Sequence, residues 1–411
     1  RRMSKNVLFI SYDGMTDALG QSQVIPYLSG LSALGHSITI ISAEKPEAFK
    51  KLSASIESQL AAAKISWHPV LFSNQIPGLS AWRNYTRLLN KAKGVCLAQK
   101  IEIVHGRSYI PSMIGIVLKK KFGVRMIFDM RGFWADERVE GGLWNLRNPI
   151  YKIAYNFFKR KEKELLLESD AIVSLTENGK KEILSWKELK LPPEKITVIP
   201  CCADIDFFSE KNVESKKQDT LKKKLGIQTG DFILSYSGSL GTWYLLEEML
   251  QFFSYLMKKK KEAKFLFITY EPKEKILECA LLYEIPPEKI IVMGVARNEM
   301  PLMLSLSSMS IFFIKNSFSK KASSPTKMGE VMSMGIPVIC NAGVGDVEEI
   351  ISQTQAGICV SSLTKENFET VIDQLNELLM LDSSKISEAA KKYFSLKRGT
   401  EKYDHIYHSL T

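Results

Sequence analysis

The sequence predicts an α/β protein of two doubly wound domains, and three observations carry that expectation. Strand-like apolar runs alternate with helical patterns from the start. The same alternation begins again after an unpatterned, lysine-rich stretch near residues 209–224. A length of 411 residues is also about twice that of an ordinary domain. Such alternation implies parallel sheets covered by helices on both faces, because a crossover between parallel strands must pass over a face.

NVLFI reads as the first strand, SYDGMTDALG as a loop, QSQVIPYLSGLSAL as a helix closed by Gly35, and SITIISA as the next strand. IEIVHG, RMIFDMRG, DAIVSLT and KITVIP continue this first set. In the second half FILSYSG, KFLFITY, KIIVMG, MSIFFIK, IPVIC and GICV read as strands with helices between them. The expected division is a first domain over 1–204 and a second over 205–385, with a last helix over about 386–411, rich in Tyr and Phe, packing back on the first. Sheets of this type hold ligands at the carboxyl ends of their strands, so the crevice between the domains is the expected site.

With 45% hydrophobic and 25% charged residues, the composition is that of a globular chain. No apolar run approaches the roughly 20 residues of a membrane span. RRMSKNVLFISYDG lacks the long apolar core of a secretory signal. Six cysteines show no metal-ligand spacing, and several fall in strand-like runs, so reduced buried thiols and a cytoplasmic location are expected. Residues 1–200 hold 30 Lys and Arg against 18 Asp and Glu, or +12, whereas residues 201–411 hold 26 against 27. A basic first half suits an anionic partner. Nucleic acid is not expected, since the aromatics near the basic runs belong to helical patterns.

SSPTKMGEVMSMGIPVIC, Ser323 to Cys340, reads as a short helix leading into a buried strand. Ser324 suits the N-cap, Pro325 the first helical position and Gly335 the residue past the end. Met328, Val331, Met332 and Gly335 form a face for the sheet, while Lys327 and Glu330 share another. A lysine in the first turn opposes the helix dipole unless an anion is held there by the amides of Ser324 to Thr326. A diphosphate satisfies all three features, and Glu330, one turn further on, would accept from sugar hydroxyls. The plain alternative is a solvated Lys/Glu pair. The position ahead of a Gly-Ile-Pro strand favours the ligand, and a nucleotide diphosphate sugar leads.

Other stretches leave alternatives open. Asp13, Gly14, Gly20 and Gln21 lie in a loop between strand and helix whose spacing is not GxGxxG; it is either a ligand loop or a glycine-containing turn. Asp129 and Arg131 follow a strand end, as a site pair or a surface pair. His105, in IVHGRSY, also ends a strand, as a site residue or a local hydrogen-bonding group. NPIYKIAYNFFKRKEKELLLES, residues 148–169, is either a core-packed helix with a solvated basic face or a helix lying on an anionic membrane surface.

SPTKMGEVMSMGIPVICNAGVGDVEEII resembles the donor-binding segment of glycosyltransferase family 4, retaining enzymes of GT-B fold. YDGMTDALGQSQVIPYLSGLSALGHSITIISAEK resembles the opening of their acceptor domain, particularly in bacterial members that build capsular or lipopolysaccharide glycans. KITVIPCCADIDFF is similar to the stretch leading between the domains, and SYSGSLGTWYLLEEML to the first strand, loop and helix of the donor domain. Three departures stand out. Ala322 occupies the place of the first of two glutamates common in the family, CCAD stands where an Asn-Gly-Val-Asp type of turn is usual, and the loop after YSGSLG offers Thr242, Trp243 and Tyr244 in place of Arg and Lys.

The resemblance implies a metal-independent, retaining glycosyltransferase with no cofactor. It implies a nucleotide-sugar donor and a glycan or polyprenyl-linked acceptor, and a cytoplasmic enzyme, peripheral at the membrane. It places Gly238, Ser239 and Gly241 near phosphate, with Arg297 near base or diphosphate. Ser324, Pro325, Thr326 and Lys327 fall on the diphosphate, and Glu330 on ribose or sugar. Asp129 replaces a residue, usually histidine, that touches the reacting sugar, with Arg131 beside it. Asp13, Gly14, Gly20, Gln21 and His105 fall on the acceptor side. Two rivals accompany this reading: a sugar-nucleotide epimerase or hydrolase of the same architecture, and a basic non-catalytic protein binding lipid or nucleic acid.

Overall fold

Short runs of Val, Ile, Leu and Phe between polar turns form the strands, and every pairing between named strands is parallel. The structure, a computed structural model, describes residues 4–72 and 79–410, so Arg1 and Thr411, outer limits of predicted ranges, lie outside the described residues. The chain divides into two units, one running to Pro200 and resuming at Leu396, the other Cys201–Ser395.

In the first unit the strands are β1 (Asn6–Ser11), β2 (Ser37–Glu44), β3 (Ser66–Leu71), β4 (Ile103–Arg107), β5 (Arg125–Asp129), β6 (Ala171–Ser174) and β7 (Ile196–Val198), in the order β3-β2-β1-β4-β5-β6-β7. Register sets Ser11 beside Arg107 and Arg107 beside Asp129, so three strands end level along one edge. The second unit contains β8 (Phe232–Ser237), β9 (Ala263–Ile268), β10 (Ile290–Val292), β11 (Met309–Phe312), β12 (Val338–Asn341) and β13 (Gly357–Val360), in the order β10-β9-β8-β11-β12-β13. Both sheets are the doubly wound parallel type the alternation predicts. Central strands such as FILSYS are buried on both faces, which is why they read as near-continuous apolar runs.

Several local expectations are corrected. Strand β3, SWHPVL, was not predicted; Pro69 removes a ladder donor and the run is only half-buried, as suits the edge it occupies. The helix expected over 21–34 is two helices, Ala18–Gln23 and Ile25–Ala33, parted at Val24. Pro26 at the start of the second cannot donate to residue 22, which breaks the ladder there. The last helix is likewise two, Ser383–Phe394 and Leu396–Ser409, parted at the extended Ser395, whose segment bridges Ala203. The first of these packs on the Thr326–Ser333 helix, and the second on Ile25–Ala33. Ser324 is not a helix cap: the helix begins at Thr326 after Pro325, and the Ser324 hydroxyl accepts the Cys201 N–H at 3.1 Å.

The helix Pro149–Glu168 buries Glu162, Leu165 and Leu166. Lys159 turns inward to Asp136 and Glu162 at 2.8 and 2.5 Å. The basic face expected on this helix is solvated at Lys152, Arg160 and Lys163, and Ile150, Ile153 and Phe157 are exposed beside it. Among the described residues no helix is long and apolar enough to cross a membrane.

Candidate functional site

In the second unit the strand–loop–helix sequence after β8 brings Gly238 and the first turn of the Thr326–Ser333 helix together. Gly238 has φ +115°, a conformation suited to glycine, and a side chain there would come within 3.1 Å of the Lys327 amine. Lys327 reaches back to β8: Nζ donates to the Tyr236 hydroxyl at 3.0 Å and lies 4.2 Å from the centre of that ring. It lies 3.5 Å from the Tyr244 ring. Burial among these rings pushes the amine well below its usual pKa, opposed by the charge of Glu330.

Lys327 and Glu330 therefore do not form a solvated surface pair. The Glu330 carboxylate pairs with Arg297 at 3.3 Å, and Arg297 also lies over the Phe208 ring at 5.4 Å. Burial raises the Glu330 pKa, against the opposing pull of Arg297 and Lys327. Ser239 and Gly241 are exposed on the loop, and a side chain at Gly241 would meet open space, so no close approach explains that glycine. Tyr236 donates to the Ser239 carbonyl at 2.6 Å and thereby shapes the loop. The amides of Thr326 and Lys327 belong to the first turn of the helix, where an anion is favoured.

In the first unit the level ends of β1, β4 and β5 collect a second group. Asp13 pairs with Arg107 at 3.1 Å. Gln21 donates to the Thr16 carbonyl at 3.1 Å, so its amide braces the loop. Gly20 is required by close approach, since a Cβ there would lie 2.1 Å from the Gly14 carbonyl oxygen. Beneath the loop, and not singled out from sequence, Glu44 is fully buried. It accepts the Met15 N–H at 2.6 Å, the Thr16 hydroxyl at 2.5 Å and the Ser42 hydroxyl at 2.6 Å. Gly14 packs directly against this carboxylate.

His105 and Asp129 form a buried pair, with His105 Nε2 donating to Asp129 Oδ2 at 3.0 Å. The C-terminal helix supplies two further partners: Tyr403 donates to the same oxygen at 2.7 Å, and Tyr407 donates to His105 Nδ1 at 2.8 Å. Asp129 Oδ1 has no hydrogen-bond partner and lies 3.7 Å from Arg131 Nη1, beside a cavity of about 10 Å³ lined also by Arg107. Burial opposes ionisation of Asp129, but Arg131, His105 and Tyr403 together hold its pKa at about 2. The backbone here is strained: Arg131 has φ +59° and Ser108, whose N–H donates to the Asp129 carbonyl at 2.7 Å, has φ +68°. Asp129 thus stays charged and braces Arg131; it is too weak a base to take a proton at neutral pH.

Among the described residues one trio, His36, Asp404 and His408, brings its ligand atoms within metal-binding range of one another. His36 Nδ1 accepts the Lys5 N–H at 3.2 Å, which leaves the ring proton on Nε2, donated to Asp404 at 2.8 Å. A metal-bound histidine needs the reverse arrangement, so the trio fits a clamp on the C-terminal helix better than a metal site.

The residues missed from sequence, Tyr236, Glu44, Tyr403 and Tyr407, have no motif spacing, and Tyr244, noted for its place in the loop, carried no assigned role. They meet their partners only through the fold.

Two family models match nearly the whole chain in order: Glycosyltransferase Family 4 over residues 22–207 and Glycosyl transferases group 1 over residues 217–393. No curated protein matches the sequence. Among solved structures, a glycosyltransferase from Rickettsia africae is 18% identical with TM-score 0.71, covering 99% of this chain and 98% of its own. Alr3699/HepE from Anabaena, in complex with UDP, is 10% identical with TM-score 0.71, covering 98% and 100%. WaaG, a glycosyltransferase involved in lipopolysaccharide biosynthesis, is 14% identical with TM-score 0.66, covering 98% and 99%.

Because the Asp129 pKa lies below that of an unfolded aspartate, its stabilisation is present above about pH 4 and is lost as pH falls toward 2. Asp129→Asn is expected to cost about 2 kcal/mol at pH 7. Denaturant unfolding should show the gap from wild type closing between pH 4 and pH 2; a gap independent of pH would contradict the assignment.

Proposed function

The chain belongs to glycosyltransferase family 4, is a GT-B glycosyltransferase, and, we propose, moves a sugar from a nucleotide diphosphate donor to a glycan or lipid-linked acceptor with retention of configuration, in the building of a cell-surface polysaccharide. The observation that carries the donor assignment is Lys327, held in the first turn of a helix, where the dipole disfavours a cation and favours an anion. The family-model matches favour this reading over the epimerase and the non-catalytic protein.

In this reading the second unit binds the donor. Lys327, the amides of its turn and the Gly238–Gly241 loop receive the diphosphate, without requiring a metal or cofactor. Glu330, oriented by Arg297, accepts from ribose or sugar hydroxyls. The first unit binds the acceptor at its level strand ends, with Arg131 and the Asp13–Arg107 pair as contacts and Asp129 and His105 as positioning residues. The bond from the anomeric carbon to the diphosphate breaks as the bond to the acceptor oxygen forms on the same face. The acceptor proton passes to the departing phosphate oxygen.

The similar Anabaena protein is in complex with UDP, which makes uridine diphosphate the first ligand to try. The similarity to WaaG supports a surface-polysaccharide role. In a thermal-shift panel of nucleoside diphosphates and nucleotide sugars, at least one diphosphate should stabilise the wild type. Lys327→Ala and Glu330→Ala should each weaken it by roughly 10- to 100-fold, as expected for loss of a charged hydrogen bond. A wild type unmoved by every nucleotide contradicts the donor assignment.

The acceptor side also suits a cytoplasmic enzyme that touches an anionic membrane. Ile150 is 73%, Ile153 69% and, just before the helix, Leu143 64% exposed. Residues 141–161 contain five Lys and Arg and no carboxylate. Apolar side chains flanked by Arg147, Lys152 and Arg160 match the profile of an interfacial helix. Flotation with phosphatidylglycerol vesicles should recover the protein, phosphatidylcholine vesicles should not, and Ile150→Gln with Ile153→Gln should reduce binding at least about tenfold. Equal recovery of the double variant sinks this surface.

A further inference from the structure

The loop that follows β8 carries no lysine or arginine from Gly238 to Leu246, yet it contributes an aromatic ring to the one lysine at the start of the facing helix. We propose that Tyr244, with Tyr236 as its counterpart, is the positioning residue for Lys327: the two rings hold the ammonium at the diphosphate site and release it to the anion, in place of cations on the loop itself. This rests on the reading of the second unit as the donor site.

The geometry is specific. Tyr244 is pinned by backbone on both sides: its segment bridges Ile314, the Leu245 N–H donates to the Phe313 carbonyl at 2.9 Å, and the Lys315 N–H donates to the Trp243 carbonyl at 2.8 Å. Tyr236 is fixed in β8 and by its bond to Ser239. The ring centres stand 5.8 Å apart at 66°, forming a wedge, and the Lys327 amine lies against both. The exposed Gly238 approaches the amine closely enough that a Cβ there would lie 3.1 Å from it, so only glycine leaves this side uncrowded.

A ring is a different kind of holder from a carboxylate. It attracts the cation through its quadrupole but does not neutralise it, and it takes up few of the three N–H donors. An arriving phosphate therefore gains charge-assisted hydrogen bonds without first breaking an ion pair. Glu330 carries the carboxylate closest in sequence, and its Oε1 is already engaged by Arg297. Because the rings also exclude water, the amine is poorly solvated until the anion arrives, which favours its transfer.

The test is isothermal titration of uridine, adenosine and guanosine diphosphates into the full chain, followed by variants with whichever binds most tightly. Tyr244→Leu should weaken that diphosphate roughly tenfold, whereas Tyr244→Phe, which keeps the ring, should stay within about threefold of wild type. In a Lys327→Met background, titrated to tens of millimolar by displacement, Tyr244→Leu should cost less than about twofold more, since the tyrosine acts through the lysine. Equal losses for Phe and Leu, or the same loss from Leu in both backgrounds, overturn the proposal while leaving the donor site intact. If none of the three binds the wild type, the donor reading fails first and takes the proposal with it.

Discussion

One constraint organises the second unit: an ammonium is held at the positive end of a helix, against two aromatic rings and largely out of water. The dipole and desolvation disfavour the charge, and the ring faces and Glu330 return only part of it. On the proposed reading, a bound diphosphate would reverse both penalties at once. The glycine at 238, the helix start at Thr326 and the Arg297–Glu330 pair all make sense around that anion, as the parts that clear space, supply amides and orient a hydrogen-bond acceptor.

The first unit is organised by buried carboxylates in a different way. Glu44 gathers the loop by accepting the donors of Met15 and Thr16, and Asp129 gathers His105, Tyr403 and Arg131 at the strand ends. Both carboxylates lie within the unit, so each shapes the surface through what it holds. The C-terminal helix has a part in this, because its tyrosines complete the Asp129 network and its Asp404 binds His36.

Alternation of apolar runs made both parallel sheets legible, since strands buried on two faces leave a clear signature in the chain. Strand β3 was not legible, because an edge strand with a proline and half-buried side chains lacks that signature. The breaks at Val24 and Ser395 were hidden by continuous helical patterning on either side. The pair Lys327 and Glu330 was visible as a motif three residues apart, but its surroundings were not. Tyr236 is 91 residues from Lys327 in the chain, and Tyr403 is 274 from Asp129. Ser324 misled for a related reason: its hydroxyl serves the distant Cys201 amide rather than its own helix. Spacing reports local chemistry, and these contacts are set by the topology of the sheets.

The most direct test is a crystal structure of the complex with the nucleoside diphosphate that binds most tightly. The account predicts the diphosphate at the start of the Thr326–Ser333 helix, with the Lys327 amine moved off the Tyr244 ring and within hydrogen-bond distance of a phosphate oxygen. A diphosphate bound elsewhere, or one bound there while Lys327 remains against the rings, would contradict it.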